Sequence, residues 1–139
     1  MTAQEAAKLA HDLVGRCEVV LLGTVDADGH PSIKALSKVE TDGIKDVWCV
    51  THIKTRRVSH LARNPDSCIY FLDAAKFQGL MLMGHTEVLT DSENRHRFWQ
   101  PQFEHYFPLG KDSPDYCVLH FIGEKANFAW GLINVDFVL

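Results

Sequence analysis

VTHIKTRRVSHLARNP, residues Val50 to Pro65, sets Lys54, Arg56, Arg57 and Arg63 in a run without one acid, inside a chain whose formal net charge is −4. Ahead of it Asp46 to Val50 is largely apolar, and within it Val58, Leu61 and Ala62 recur at helical spacing. The stretch therefore predicts a strand, a turn and a short helix with Thr55 as N-cap. Unpaired N–H groups at a helix start, the positive end of its dipole, a hydroxyl and two guanidiniums together suit the oxygens of a phosphate monoester. Taken alone, such a cluster is more often a solvated basic helix face. The remaining sequence decides between the two.

On the N-terminal side, Thr2 and Glu5 form a capping box, and Ala6, Leu9, Ala10, Leu13 and Val14 follow with a helical period, predicting a helix that ends near Gly15. Glu18 to Val25 and Pro31 to Val39 predict a hairpin about the turn Asp26-Ala27-Asp28-Gly29. Thr41-Asp42-Gly43 then turns the chain into a third strand, Asp46 to Thr51, completing a meander. On the C-terminal side, Cys68 to Leu72 and Gln78 to Leu89 predict two strands joined by a turn at Ala74 to Lys76, with Gly79 and Gly84 marking bulges or close approach. Thr90 and Glu93 suggest a second capping box, opening a helix that stops before Pro101. Gln102 to Pro114 is aromatic and turn-rich, and two last strands are expected at Asp115 to Ile122 and Asn127 to Phe137. Short strands in hairpin order with few short α-helices predict one mainly β domain, residues 1–139, built as a closed or partly closed antiparallel barrel.

Composition narrows the function. The 139 residues are 46% hydrophobic and 23% charged, ordinary for a globular protein with one core. No apolar run approaches a membrane span, and the N-terminus lacks the apolar segment of a secretory signal, so a cytoplasmic protein is expected. Net negative charge argues against general nucleic-acid binding, and the local basic run points to a small ligand. Cys17, Cys49, Cys68 and Cys117 are too widely spaced for a redox pair or zinc knuckle, and the eight histidines form no HxH or HExxH pattern, so no metal site is expected. Neither a nucleophile elbow nor a paired-carboxylate motif is present.

Three features together resemble a known family: the order of elements, the segment from Thr51 through Thr55-Arg56-Arg57 to Leu61-x-x-Asn64-Pro65, and the stretch WQPQFEHYFPLGKDSPDY from Trp99 to Tyr116. The family is that of the pyridoxamine 5′-phosphate oxidase-like FMN-binding split barrels, and within it the small general stress protein branch is the most similar. The likeness spans about Val19 to Trp130. It implies a six-stranded antiparallel split β-barrel of Greek-key type that forms a homodimer, with FMN in grooves between the subunits and contacted by both. On this resemblance Thr55, Arg56 and Arg57 hold the flavin phosphate, Lys34 reaches the same group, and the backbone of Lys34, Ala35 and Leu36 runs beside the ring. Val50 and Thr51 meet the ring or ribityl chain, Gln78 is contributed by the partner subunit, and Trp130 lies near the flavin edge. Lysine at position 34 keeps the charge of the arginine common there but loses its two-pronged geometry.

FMN would carry the electron chemistry, so no catalytic base is required. The resemblance thus implies an oxidoreductase acting on a small molecule with a small-molecule electron donor. Oxidation of pyridoxamine phosphate itself is not expected, since no arginine follows Trp130. Two alternatives stand beside this: a non-catalytic FMN-binding redox or stress-response module, and a split barrel for a deazaflavin or haem, with His52 or His85 as the histidines to test as axial ligands.

Overall fold

Thr2 and Glu5 open the first helix reciprocally: the Thr2 hydroxyl accepts from the Glu5 N–H at 3.1 Å, and the Glu5 carboxylate accepts from the Thr2 N–H at 3.2 Å. In the computed structural model, which describes residues 1–139, this helix, α1, spans Ala3–Arg16 and buries Ala6, Ala10, Leu13 and Val14. The chain then runs through β1 (Val19–Val25), β2 (Pro31–Asp42), β3 (Asp46–His52), α2 (Arg56–Arg63), β4 (Asp66–Asp73) and β5 (Gln78–Leu89). It continues through α3 (Ser92–Phe98), two short 3-10 turns (Pro101–His105 and Gly110–Asp112), β6 (Tyr116–Trp130) and β7 (Ile133–Val138). No helix is long and apolar enough to cross a membrane.

Every strand pairing is antiparallel. β1 lies between β2 and β4, β5 joins β4 to β6, and β6 pairs with β3, closing a six-stranded barrel. The meander β1-β2-β3 followed by a return of β4 to the side of β1 is the Greek-key arrangement, and α2 lies in that return. The six-stranded barrel expected from the sequence is therefore the fold, with β7 added as a hairpin partner on the outgoing half of β6.

Alternating residues of the strands fill the barrel: Val20, Leu22, Ile69, Phe71, Leu80, Leu82, Phe121 and Phe128, joined by Leu13 and Val14 of α1. Fully burying a side chain of this size is worth about 1.5–3 kcal/mol, so this cluster carries most of the fold's stability. A second cluster of Trp48, Phe98, Phe103, Phe107, Tyr116 and Val118 lies under α3 and the 3-10 turns. It anchors the segment that would otherwise be a long irregular loop.

The structure corrects four local expectations. β6 is one strand, not two: Gly123-Glu124-Lys125, polar and turn-like in sequence, forms a bulge, with Met83 opposite Lys125 and Gly84 opposite Gly123. The reversal comes later, at Gly131-Leu132, where Gly131 takes φ 59°. α3 is capped by Asp91 rather than Thr90, its carboxylate accepting from the Asn94 N–H at 3.0 Å. β2 runs on to Asp42 because an irregularity between Lys38 and Glu40 lets it stay paired with β3, and β4 starts at Asp66, two residues before the expected Cys68.

Candidate functional site

Where β3 leaves β2, the sheet opens. β3 pairs with β2 only from Lys38 onward, while Pro31 to Ser37 pair with β1 alone, so one backbone edge of Ala35, Leu36 and Ser37 is unpaired. A groove of about 420 Å³ begins there. Its floor is Val50, Thr51 and His52 at the end of β3, its far end is Thr55 and Arg57 at the start of α2, and its wall is Phe103, Tyr106 and Phe107.

The basic end of this groove carries the strongest chemical signal. Arg57 Nη1 donates to Thr51 Oγ1 at 2.5 Å, while Arg57 Nε is buried with no partner. Thr55 occupies the N-cap position of α2, as expected, but its hydroxyl does not cap the helix; Oγ1 is buried and also without a partner. Leaving such a group unsatisfied costs about 1–3 kcal/mol. Burial lowers the pKa of Arg57, and no carboxylate is hydrogen-bonded to it. A cation that has lost water and gained only a hydroxyl is suited to an anion carrying several acceptor oxygens.

The aromatic wall is held from behind. Tyr116 lies 5.2 Å from Phe107 and 6.4 Å from Phe103 between ring centroids, and its hydroxyl donates to the Arg95 carbonyl at 3.0 Å. Burial pushes the Tyr116 phenol up to about 12. Arg95 Nη1 donates to the Ser113 carbonyl at 2.8 Å, tying α3 to the end of the aromatic segment. His52 stacks on Phe107 at 6.2 Å, accepts at Nδ1 from the Lys54 N–H at 3.1 Å, and sets Nε2 at 3.6 Å from the Asp115 carboxylate. Tyr106, 72% exposed, stands at the rim.

Of the residues singled out in the sequence, Ala35, Leu36, Val50, Thr51, Thr55 and Arg57 come together in this groove. Lys34 and Arg56 are exposed and do not line it. Gln78 and Trp130 sit directly opposite each other on β5 and β6, at the end of β6 remote from Cys117, the residue that faces Thr51. Ser37, Phe103, Tyr106 and Phe107 were not among the expected site residues, and His52, which also lines the groove, was singled out only as a possible haem ligand. The density of aromatics between Gln102 and Pro114 was the only local signal for three of them.

The model of the pyridoxamine 5′-phosphate oxidase family matches residues 6–129. The chain belongs to that family. It is 37% identical to a Clostridium acetobutylicum protein described as related to general stress protein 26 of B. subtilis and as a member of the pyridoxinephosphate oxidase family. That likeness covers 99% of this chain and 97% of the other, with a TM-score of 0.91. General stress protein 26 of Bacillus anthracis has a TM-score of 0.74 at 13% identity, covering 99% of this chain and 100% of that one. A heme binding protein of Mycobacterium smegmatis has a TM-score of 0.78 at 14% identity, covering 99% of this chain and 60% of that one. At those two identities the likeness is one of fold alone. No curated protein matches the chain.

Proposed function

We propose that the groove binds flavin mononucleotide and that the protein is a flavin-dependent oxidoreductase acting on a small molecule. The observation that carries this reading is the pair of buried, unpartnered groups at one end of the groove, Thr55 Oγ1 and Arg57 Nε. A terminal phosphate would satisfy both, with Thr51 holding the guanidinium in place. The volume of about 420 Å³ falls within the usual range of cofactor sites. The open edge of Ala35 to Ser37 offers backbone donors and acceptors to a flat heterocycle. When bound, the flavin supplies the electron transfer, and the chain binds, orients and shields it.

The same reading includes a homodimer. Gln78 at the start of β5 and Trp130 at the end of β6 do not line the groove of their own chain, so a second copy would supply them. Phe77, Leu132 and Ile133 are exposed apolar side chains around that pair, surface a twofold contact would cover. Haem fits less well: of the two histidines weighed as axial ligands only His52 lines the groove, its Nδ1 accepts from the Lys54 N–H, and its Nε2 lies 3.6 Å from the Asp115 carboxylate.

The test is the absorption spectrum of the purified protein, followed by titration of the apo form with FMN. Flavin bands near ~450 nm, or saturable quenching of flavin fluorescence at one FMN per chain, are expected. The absence of both flavin bands and quenching would overturn the reading. A Soret band would favour haem, and reduction of bound FMN by NAD(P)H separates an oxidoreductase from a storage module. Gel filtration at micromolar concentration tests the dimer.

A further inference from the structure

Gln78 is held by an arginine in a way that decides which end of its amide is free. It opens β5 opposite Trp130 and is 3% exposed. Its Oε1 accepts from Arg16 Nη2 at 3.0 Å. A guanidinium has donors only, so the atom facing Arg16 is the amide oxygen and the N–H₂ is directed elsewhere. That nitrogen makes no hydrogen bond within the chain. Arg16 cannot easily turn away, since Nε donates to Asp12 at 2.9 Å and Nη1 to Asp73 at 2.5 Å.

The neighbourhood of this amide is aromatic and exposed. Phe77 is the one non-glycine residue at positive φ, 53°, and it is 70% exposed. Its carbonyl accepts from the Gly131 N–H at 3.1 Å, which ties the β4–β5 turn to the β6–β7 turn. A bulky residue held in the left-handed region costs conformational energy and is kept only where surrounding structure enforces it. Trp130, 40% exposed, is the cross-strand partner of Gln78. The tip thus sets two exposed aromatic residues next to Gln78 in sequence and across the ladder, and the amide oxygen of Gln78 is held by Arg16.

We propose that Arg16 is a positioning residue that sets Gln78 to donate from its amide nitrogen to an acceptor atom of the flavin ring bound in the groove of a second copy, with Phe77 and Trp130 alongside. This rests on the flavin and dimer reading above. The ring's carbonyl oxygens and unprotonated nitrogens are acceptors that gain negative charge when the ring gains electrons. A donor fixed against them therefore favours the reduced form and raises the midpoint potential.

Two variants of the full chain test this in the FMN-loaded protein. Gln78→Glu keeps a bond from Arg16 and replaces the free donor with an acceptor. It should weaken FMN binding about tenfold and lower the midpoint potential, with the melting temperature of the apo protein little changed. Arg16→Met leaves the amide in place but free to turn, and should weaken binding about threefold to fivefold and lower the potential in the same direction; Arg16→Lys should recover part of both. FMN affinity and potential equal to wild type in both Gln78→Glu and Arg16→Met would overturn the role of Arg16 and leave the flavin reading intact. Wild-type protein that takes no FMN would overturn the flavin reading itself, and wild-type protein that binds FMN tightly as a monomer would overturn the placement of Gln78 across the subunits.

Discussion

Arg57 on the first turn of α2 is fastened to Thr51 on β3 through a single hydrogen bond, Nη1 to Oγ1 at 2.5 Å, and that bond aims a guanidinium into the groove with its Nε still free. Arg56, its neighbour in sequence, is exposed. Arg57→Ala is expected to weaken FMN binding by about 1.5–3 kcal/mol, roughly ten- to 150-fold, whereas Arg56→Ala should change it by less than about 0.5 kcal/mol. Fluorescence titration of the two single variants checks this, and equal losses would put the phosphate between the two side chains instead.

Gly84 and Gly79 should differ sharply in their tolerance of alanine. A Cβ at Gly84 would strike the Ile122 carbonyl in the backbone of β6, beside the bulge, so the ladder itself must move. At Gly79 the obstacle is the hydroxyl end of the Tyr70 ring, which can swing aside. Gly84→Ala is expected to destabilise the fold by about 2 kcal/mol or more and Gly79→Ala by clearly less. Urea unfolding of both variants reads the difference directly.

Acid should weaken the fold through identifiable carboxylates. Hydrogen bonds from the His30 N–H to Asp26, from the Lys76 N–H and Arg16 to Asp73, from Asn94 to Asp91 and from His96 to Asp112 hold each carboxyl below its ordinary 3.8. A pKa lower in the folded state means that the stabilisation is complete above 3.8 and is lost as pH falls through the depressed folded values. The melting temperature should thus drop below pH 3.8, and Asp91→Asn should flatten part of that drop while lowering stability at neutral pH. An Asp91→Asn profile parallel to wild type would contradict the role given to that cap.

Thiol chemistry should divide the cysteines into two classes. Burial pushes Cys49 up to about 12 and Cys117 up to about 11, whereas Cys17 and Cys68 are only half-buried. Since the thiolate is the reactive form, a disulfide reagent at pH 8 should modify Cys17 and Cys68 first and reach Cys49 and Cys117 only on unfolding. Four thiols reacting at one rate in the native protein would contradict this division.

What could be read in the sequence was what local chemistry decides. The Val50 to Pro65 stretch forms the strand, turn and helix that its periodicity predicts, and the reciprocal cap at Thr2 and Glu5 is present in full. Errors fell where distant partners override local signals. Gly123 to Lys125 looks like a turn, yet β5 on one side and neighbouring β3 and β7 on the other carry β6 straight through it. Phe103 and Phe107 reach the groove because they pack on Tyr116, a contact that no spacing within Gln102 to Pro114 encodes. Thr55 was expected to cap its helix; tertiary burial instead leaves its hydroxyl unspent beside Arg57.

The extra residue in β6 also resets which side of the strand faces inward. Before Glu124 the barrel interior receives the odd-numbered Cys117, Leu119 and Phe121; after it the buried positions are the even-numbered Ala126 and Phe128. Strand alternation has a period of two, so one residue taken up as a bulge shifts the inward positions from odd to even numbers while the residues beyond it keep the faces that β5 requires. Glu124 thereby acts as a phase shift between the two ends of one ribbon. Deleting it would remove the bulge and let Gly123, Lys125 and Ala126 alternate as an ordinary strand opposite Gly84, Met83 and Leu82, with Ala126 and Phe128 still inward and Trp130 still opposite Gln78; what would be lost is the local bend of β6.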